Sequence, residues 1–159
     1  MEARRVSDSR SQLSQFMLAP ESNPWGQVHG GSIMKLVDNV GGVAAMRHCH
    51  MPVVTAQFVK MNFLQPVALG AFVTARASLT GVGRTSMEIR VTVEAENLLT
   101  GEVVQAAKAE AVYVALGEDG RPAEVPRLIL EADEARRPAE GTKQRRASGA
   151  AELAGPAMI

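Results

Sequence analysis

The stretch Ser86 to Glu96 limits the possible folds more than any other part of the chain. Met87, Ile89, Val91, Val93 and Ala95 fall on one side, and Glu88, Arg90, Thr92, Glu94 and Glu96 on the other. A repeat of two belongs to an extended strand with one face on a core and one in water. Ala71 to Thr80 alternates in the same way, with Val73, Ala75, Ala77 and Leu79 on one side. Val53 to Leu64 is rich in Val, Thr and Phe and stops before Pro66. Beyond a turn at Asn97 to Gly101, Glu102 to Leu116 is a last long strand, closed by the turn residues Gly117 to Gly120. A short strand is expected from Gln12 to Leu18.

One segment has a different period. Ile33, Val37, Val40 and Ala44 line one face of a helix, which Leu36 and Val43 widen. The helix is placed from Gly31 to His48 and ends before Pro52. Ahead of it, Ala19 to Gln27 carries Pro20, Ser22, Asn23, Pro24 and Gly26 and reads as a loop. One long helix and four or five long antiparallel strands must share a core. The expected architecture is α+β, a strongly bent sheet wrapped around the helix. The segments 53–64 and 103–116 look apolar on both faces, so one face is expected to lie against another subunit.

A chain of 159 residues suits one domain. The division expected is a flexible arm at 1–11, a single domain at 12–130, and a charged, Ala/Gly-rich helix and tail at 131–159. Lys plus Arg and Asp plus Glu number 17 each, so the formal net charge is zero. No basic excess draws nucleic acid, and neither end offers a helix-turn-helix pattern. The start has no apolar segment of the secretory kind, and no apolar run approaches the roughly 18 residues that span a bilayer. Cys49 is the single cysteine, which fits a reducing compartment. A cytoplasmic protein with neither membrane nor nucleic acid as partner is expected.

The chemistry concentrates between Asn23 and Asp38. Gly30 and Gly31 stand where the helix begins, and glycine lets another group approach the free N–H groups there. That end of a helix stabilises developing negative charge. Asp38 lies at the edge of the apolar stripe, in one column with Met34 and Gly42. Gly41 and Gly42 weaken the helix, so a close-packed sheet or ligand must compensate. Gly81, Gly83, Arg84, Thr85 and Ser86 join two strands and suit a phosphate-binding turn or a plain hairpin. His48, Cys49 and His50 do not converge on a metal ion, because neighbours on a helix point about 100° apart. Cys49 also has no facing histidine to make it a nucleophile. Met34, Met46, Met51, Met61 and Met87 read as core filling.

These residues resemble a known family. Asn23, Gly26, Val28-His29-Gly30-Gly31, Met34 and Asp38, then G-G-V-A-A-M-R-H-C to Cys49, resemble the hotdog-fold acyl-CoA thioesterases. The group is that of bacterial YciA and the brain-type cytosolic acyl-CoA hydrolases. V-V-T-A from Val53, N-F-L-Q-P-V from Asn62 and T-S-M-E-I-R-V from Thr85 extend the match over residues 12 to 130. The resemblance implies a long central helix wrapped by a curved antiparallel sheet of about five strands, with two protomers' sheets joined edge to edge. It implies hydrolysis of a fatty acyl-CoA thioester to free acid and coenzyme A, with no separate cofactor and no metal. An Asn before the helix and an Asp within it would form a site shared by opposite halves of the dimer, and Asn23 and Asp38 stand there. Asp38 would act as general base or nucleophile, Asn23 would position water or carbonyl, and the Gly31 N–H would bind the carbonyl oxygen. Gly81, Gly83, Arg84, Thr85 and Ser86 would meet the nucleotide end of coenzyme A. His29 receives no catalytic role. With a single repeat the chain would pair with itself, and in this group such dimers assemble further, for example into trimers of dimers. A non-catalytic acyl-CoA binding or sensing protein is the alternative, against which Asp38 argues. A hotdog dehydratase lacks a convincingly placed histidine, and a bare oligomerisation module leaves Asn23 to Asp38 unexplained.

Overall fold

Helix α1 (Gly30–Cys49) begins where His29, in extended backbone, accepts the Gly31 N–H on its ring. It ends at His50, whose left-handed backbone (φ 54°) lets its N–H close on the Met46 carbonyl at 2.7 Å. In this computed structural model, which describes residues 1–132, the expected stripe of Ile33, Leu36, Val37, Val40 and Ala44 is buried throughout. Val43, at its margin, is half-buried. Met46, expected in the core, lies 44% exposed.

The stripe rests on an antiparallel sheet. Strands β2 (Ser11–Phe16), β3 (Val53–Phe63), β4 (Phe72–Val82), β5 (Ser86–Glu96) and β6 (Val103–Ala115) lie in the order β2-β4-β5-β6-β3. All the strands expected are present, and β5 has the bounds its alternation gave. Its five apolar residues are buried and its charged face is partly exposed. The face toward α1 presents Val73, Ala75 and Leu79 from β4, Met87, Ile89, Val91 and Val93 from β5, and Ala107, Ala109, Ala111, Tyr113 and Ala115 from β6. Each fully buried side chain such as Ile33 or Leu79 contributes about 1.5–3 kcal/mol. The alanines of β6 let the helix lie close, and α1 touches all five strands. A long central helix against a curved five-stranded antiparallel sheet is what the sequence led us to expect.

β3 is an edge strand. Its pairing with β6 shifts between Thr55 and Gln57 and again between Phe58 and Lys60, so Ala56 and Val59 are bulged. Val54 on this edge is 46% exposed. The expectation of two apolar faces holds only in part, because Lys108 and Glu110 share the outer face of β6 with Val112 and Val114, while Val104, beyond a bulge at Ala106, pairs with Ala95 and packs on the core.

The first residues correct the expected flexible arm. Strand β1 (Arg4–Arg5) pairs in parallel with β7 (Leu128–Ile129), and Val6 is fully buried. The Arg4 guanidinium donates to the Arg47 and His48 carbonyls at 3.3 and 2.8 Å. That is the end of α1 where a cation is favoured. A stretch this rich in polar residues hid its one deep anchor, Val6. Most of the helix and tail expected at 131–159 lies outside the described residues.

Candidate active site

A row of side chains crosses the inner face of the sheet: Met87 pairs with Tyr113, and Tyr113 with Thr55. Two hydroxyls of that row converge on one carboxylate. Thr55 Oγ1 donates to Asp38 Oδ1 at 2.6 Å, and the Tyr113 hydroxyl donates to the same oxygen at 3.1 Å. The Tyr113 hydroxyl also lies 3.0 Å from the Asp38 backbone carbonyl. Asp38 Oδ2 has no hydrogen-bond partner among the described residues. Asp38 is half-buried, whereas Tyr113 is 1% exposed. Burial, then the Asp38 charge, pushes the Tyr113 phenol well above its ordinary pKa, so it stays a donor.

The glycine pair of α1 is explained here. A methyl group at Gly41 would run into the Tyr113 ring, 2.8 Å from Cζ and 2.9 Å from Cε2. Gly42 leaves 3.9 Å to the same ring. Gly in a helix interior costs about 1 kcal/mol relative to Ala. The close-packed partner required by the sequence is therefore the sheet, through Tyr113.

The other expected residues divide. Asn23 is half-buried in the loop before α1, and its Oδ1 accepts the Trp25 and Gln27 N–H groups at 3.0 Å each. The carbonyl half of the amide thus builds the loop, and its NH2 half is not engaged among the described residues. Asn23 and Asp38 share no hydrogen bond within the chain. Gly31 lies in the first turn of α1. Its N–H donates to His29 Nδ1 at 2.8 Å, so a carbonyl oxygen would first have to displace the exposed His29 ring. A histidine at this cap was not anticipated, because Ser, Thr, Asp and Asn are the usual caps.

Gly81, Gly83, Arg84, Thr85 and Ser86 lie together on the β4–β5 hairpin. Gly83 donates to the Ser86 carbonyl at 2.8 Å, and the Arg84 and Thr85 carbonyls accept from Val125 and Ala115 at 3.0 and 3.1 Å. The hairpin is thereby fixed to the end of β6 and to the chain that follows it. The Arg84 guanidinium stays outside, 75% exposed, 3.7 Å from the Glu124 carboxylate. Ser86 precedes Met87, so the hairpin lies at the same end of the sheet as Tyr113, Thr55 and Asp38. His48 is buried with Nε2 on the Pro126 carbonyl at 2.9 Å. Burial pushes the Cys49 thiol above its ordinary pKa, which makes a poor nucleophile.

Sequence reasoning missed Thr55 and Tyr113. The signal lay in parity. Tyr113 shares the inward register of Ala107, Ala109, Ala111 and Ala115, a large polar-tipped residue in a row of alanines opposite a helix with two adjacent glycines. Thr55 could be found only through its pairing with Tyr113.

Comparison with known proteins follows the same lines. A model of the thioesterase superfamily matches residues 26–102. The cytosolic acyl coenzyme A thioester hydrolase of Rattus norvegicus is 37% identical over 143 residues, 88% of this chain and 38% of that protein. The chain thus spans about two-fifths of the length of that relative. An uncharacterized acyl-CoA thioester hydrolase of Bacillus subtilis, YkhA, is 33% identical over 133 residues, 84% of this chain and 77% of that protein. Among solved structures, an apo-hexameric acyl-CoA thioesterase superposes with a TM-score of 0.82 at 31% identity, covering 86% of this chain and 88% of its own. An acyl-CoA hydrolase from Staphylococcus aureus, solved in complex with butyryl coenzyme A, coenzyme A and coenzyme A disulfide, superposes at 0.78 with 26% identity, covering 84% and 82%. Alanine variants of that hydrolase at an aspartate, an asparagine and a threonine are also among the neighbours.

Proposed function

The chain belongs to the thioesterase superfamily, with the hotdog fold of its solved neighbours, and from that premise we propose that it hydrolyses acyl-CoA thioesters to free acid and coenzyme A. The observation that carries this reading is the Asp38 carboxylate, with Oδ1 held by two hydroxyls and Oδ2 without a partner among the described residues. In the general-base course, Asp38 takes a proton from water and the oxygen adds to the thioester carbonyl. The C–S bond then breaks, and the thiolate leaves with the proton as free coenzyme A. In the nucleophilic course, Asp38 attacks the carbonyl, the C–S bond breaks and coenzyme A leaves as the thiolate. Water then opens the resulting anhydride, which releases the acid, returns the Asp38 carboxylate and gives up a proton to the thiolate. Neither course needs a cofactor or metal. In the Staphylococcus aureus hydrolase, the three replaced residues are spaced along the chain as Asn23, Asp38 and Thr55 are here.

Asn23 then supplies its free NH2 to water or carbonyl, and Gly81, Gly83, Arg84, Thr85 and Ser86 receive the nucleotide end of coenzyme A. The Gly31 N–H serves as the carbonyl donor if the His29 ring swings away. Two copies join along the exposed β3 edge, so that Asn23 of one subunit serves Asp38 of the other. Dimers assemble into a trimer of dimers, in keeping with the hexameric neighbours. No helix among the described residues is long and apolar enough to cross a membrane, and a cytosolic relative supports a cytoplasmic location.

The test is release of free thiol from acyl-CoAs of increasing chain length, by the wild type and by Asp38→Ala. A positioned base contributes about 10²–10⁴-fold, and a loss of that order is expected. Rates within a few-fold of wild type, in protein of unchanged circular dichroism, would sink the role of Asp38. No thiol release from any acyl-CoA by the wild type would sink the activity itself.

A further inference from the structure

The Tyr113 hydroxyl takes no part in the bond changes of either course, and it is the more deeply buried of the two groups that donate to Asp38 Oδ1. It does two things at once. It donates to Oδ1 and it lies 3.0 Å from the backbone carbonyl of the same residue. The ring is thus tied both to the carboxylate and to the helix turn that carries it. Thr55 holds Oδ1 from the neighbouring strand at 2.6 Å. The terminal torsion of an aspartate is broad and close to two-fold, so a free carboxylate exchanges its oxygens readily. Here two donors fix the plane of the carboxylate, and a half-turn only exchanges two equivalent oxygens, so one oxygen is always held and the other always open. The hydroxyl reaches this position only because Gly41 has no side chain, since a methyl group there would occupy its place.

We propose that Tyr113 is a positioning residue: through the gap left by Gly41 it clamps Asp38 Oδ1 together with Thr55 and leaves Oδ2 as the oxygen that acts on water or carbonyl. The inference rests on Asp38 being the reacting carboxylate. The raised pKa of the phenol keeps the clamp protonated wherever the enzyme works.

The test uses Tyr113→Phe, which removes the hydroxyl and keeps the ring. Its kcat on acyl-CoA should fall roughly tenfold with KM within about twofold, the pattern of an interaction acting on the chemical step. Gly41→Ala, whose methyl group pushes the Tyr113 ring aside as well as its hydroxyl, should lower kcat at least as far. In an Asp38→Asn background, Tyr113→Phe should leave the residual rate unchanged. Rates are corrected for the folded fraction from thermal melts. A kcat for Tyr113→Phe within twofold of wild type, beside an inactive Asp38→Asn, overturns the clamp and leaves the function standing. An equal loss in the Asp38→Asn background overturns it too, since a general structural effect would act without the carboxylate. If Asp38→Asn itself stays active, the reading of Asp38 fails, and the clamp with it.

Discussion

His48 shows how a single buried side chain writes a pH dependence into this chain. Its ring is fully buried, Nε2 binds the Pro126 carbonyl at 2.9 Å, and Nδ1 has no partner among the described residues. Burial lowers its pKa from 6.5, helped by the Arg4 charge and, less, by His50, and opposed by the Pro126 bond and Asp8. Below the unfolded value of 6.5, the unfolded chain binds a proton that the folded chain resists. The stability tied to the neutral ring is therefore complete above that pH and is lost as pH falls below it. Thermal melts between pH 7.5 and 5 should show Tm declining more steeply in wild type than in His48→Gln, which keeps a donor for Pro126. Parallel slopes would mean that the proton finds a partner at Nδ1 and that burial sets no penalty.

The β4–β5 hairpin is an element whose backbone and side chains face different tasks. Its carbonyls are committed to Val125 and Ala115, so the loop is held at the end of the sheet where Asp38 lies. Arg84 remains 75% exposed with only a long ion pair to Glu124. Exposed pairs are weak and screened by salt, so the guanidinium is free to exchange Glu124 for a phosphate. Arg84→Ala should raise KM for acyl-CoA more than it lowers kcat, and added salt should imitate the substitution in the wild type. A KM that responds to neither would make the turn an ordinary hairpin. The coenzyme then has to be held elsewhere.

Among the described residues of one chain, Asn23 and Asp38 share no hydrogen bond and β3 has no neighbour on its outer edge. If two subunits meet along that edge, each dimer holds two sites built from both. Asn23→Ala and Asp38→Ala would each be inactive alone. Unfolded and refolded together, mixed dimers carry both lesions in one site and none in the other. Random pairing makes half of the dimers mixed, so about a quarter of wild-type activity should return. If both residues serve the same subunit's site, mixing restores nothing, and the shared site has to be abandoned. Because Asn23 Oδ1 also builds its loop, Asn23→Asp is the better partner variant should Asn23→Ala refold poorly.

Patterning by itself determined the helix and the strands, and the side of α1, β4 and β5 that faces inward. An amphipathic period is local, and each element buries the face its own residues make apolar. The position of Asp38 beside Gly42 was legible for the same reason, as was the need for something to fill the gap that Gly41 and Gly42 leave. What filled it was decided by tertiary structure. Tyr113 and Thr55 are distant in sequence from Asp38 and from each other. Only the antiparallel register of β3 and β6 sets them side by side. Register also brought the β4–β5 hairpin to the end of the sheet where Asp38 lies, although Arg84 and Asp38 are far apart in the chain. Val6 and the β1–β7 pairing were invisible because a short polar stretch carries no period, and the contacts of Arg4 exist only once β7 and the end of α1 are in place to receive them.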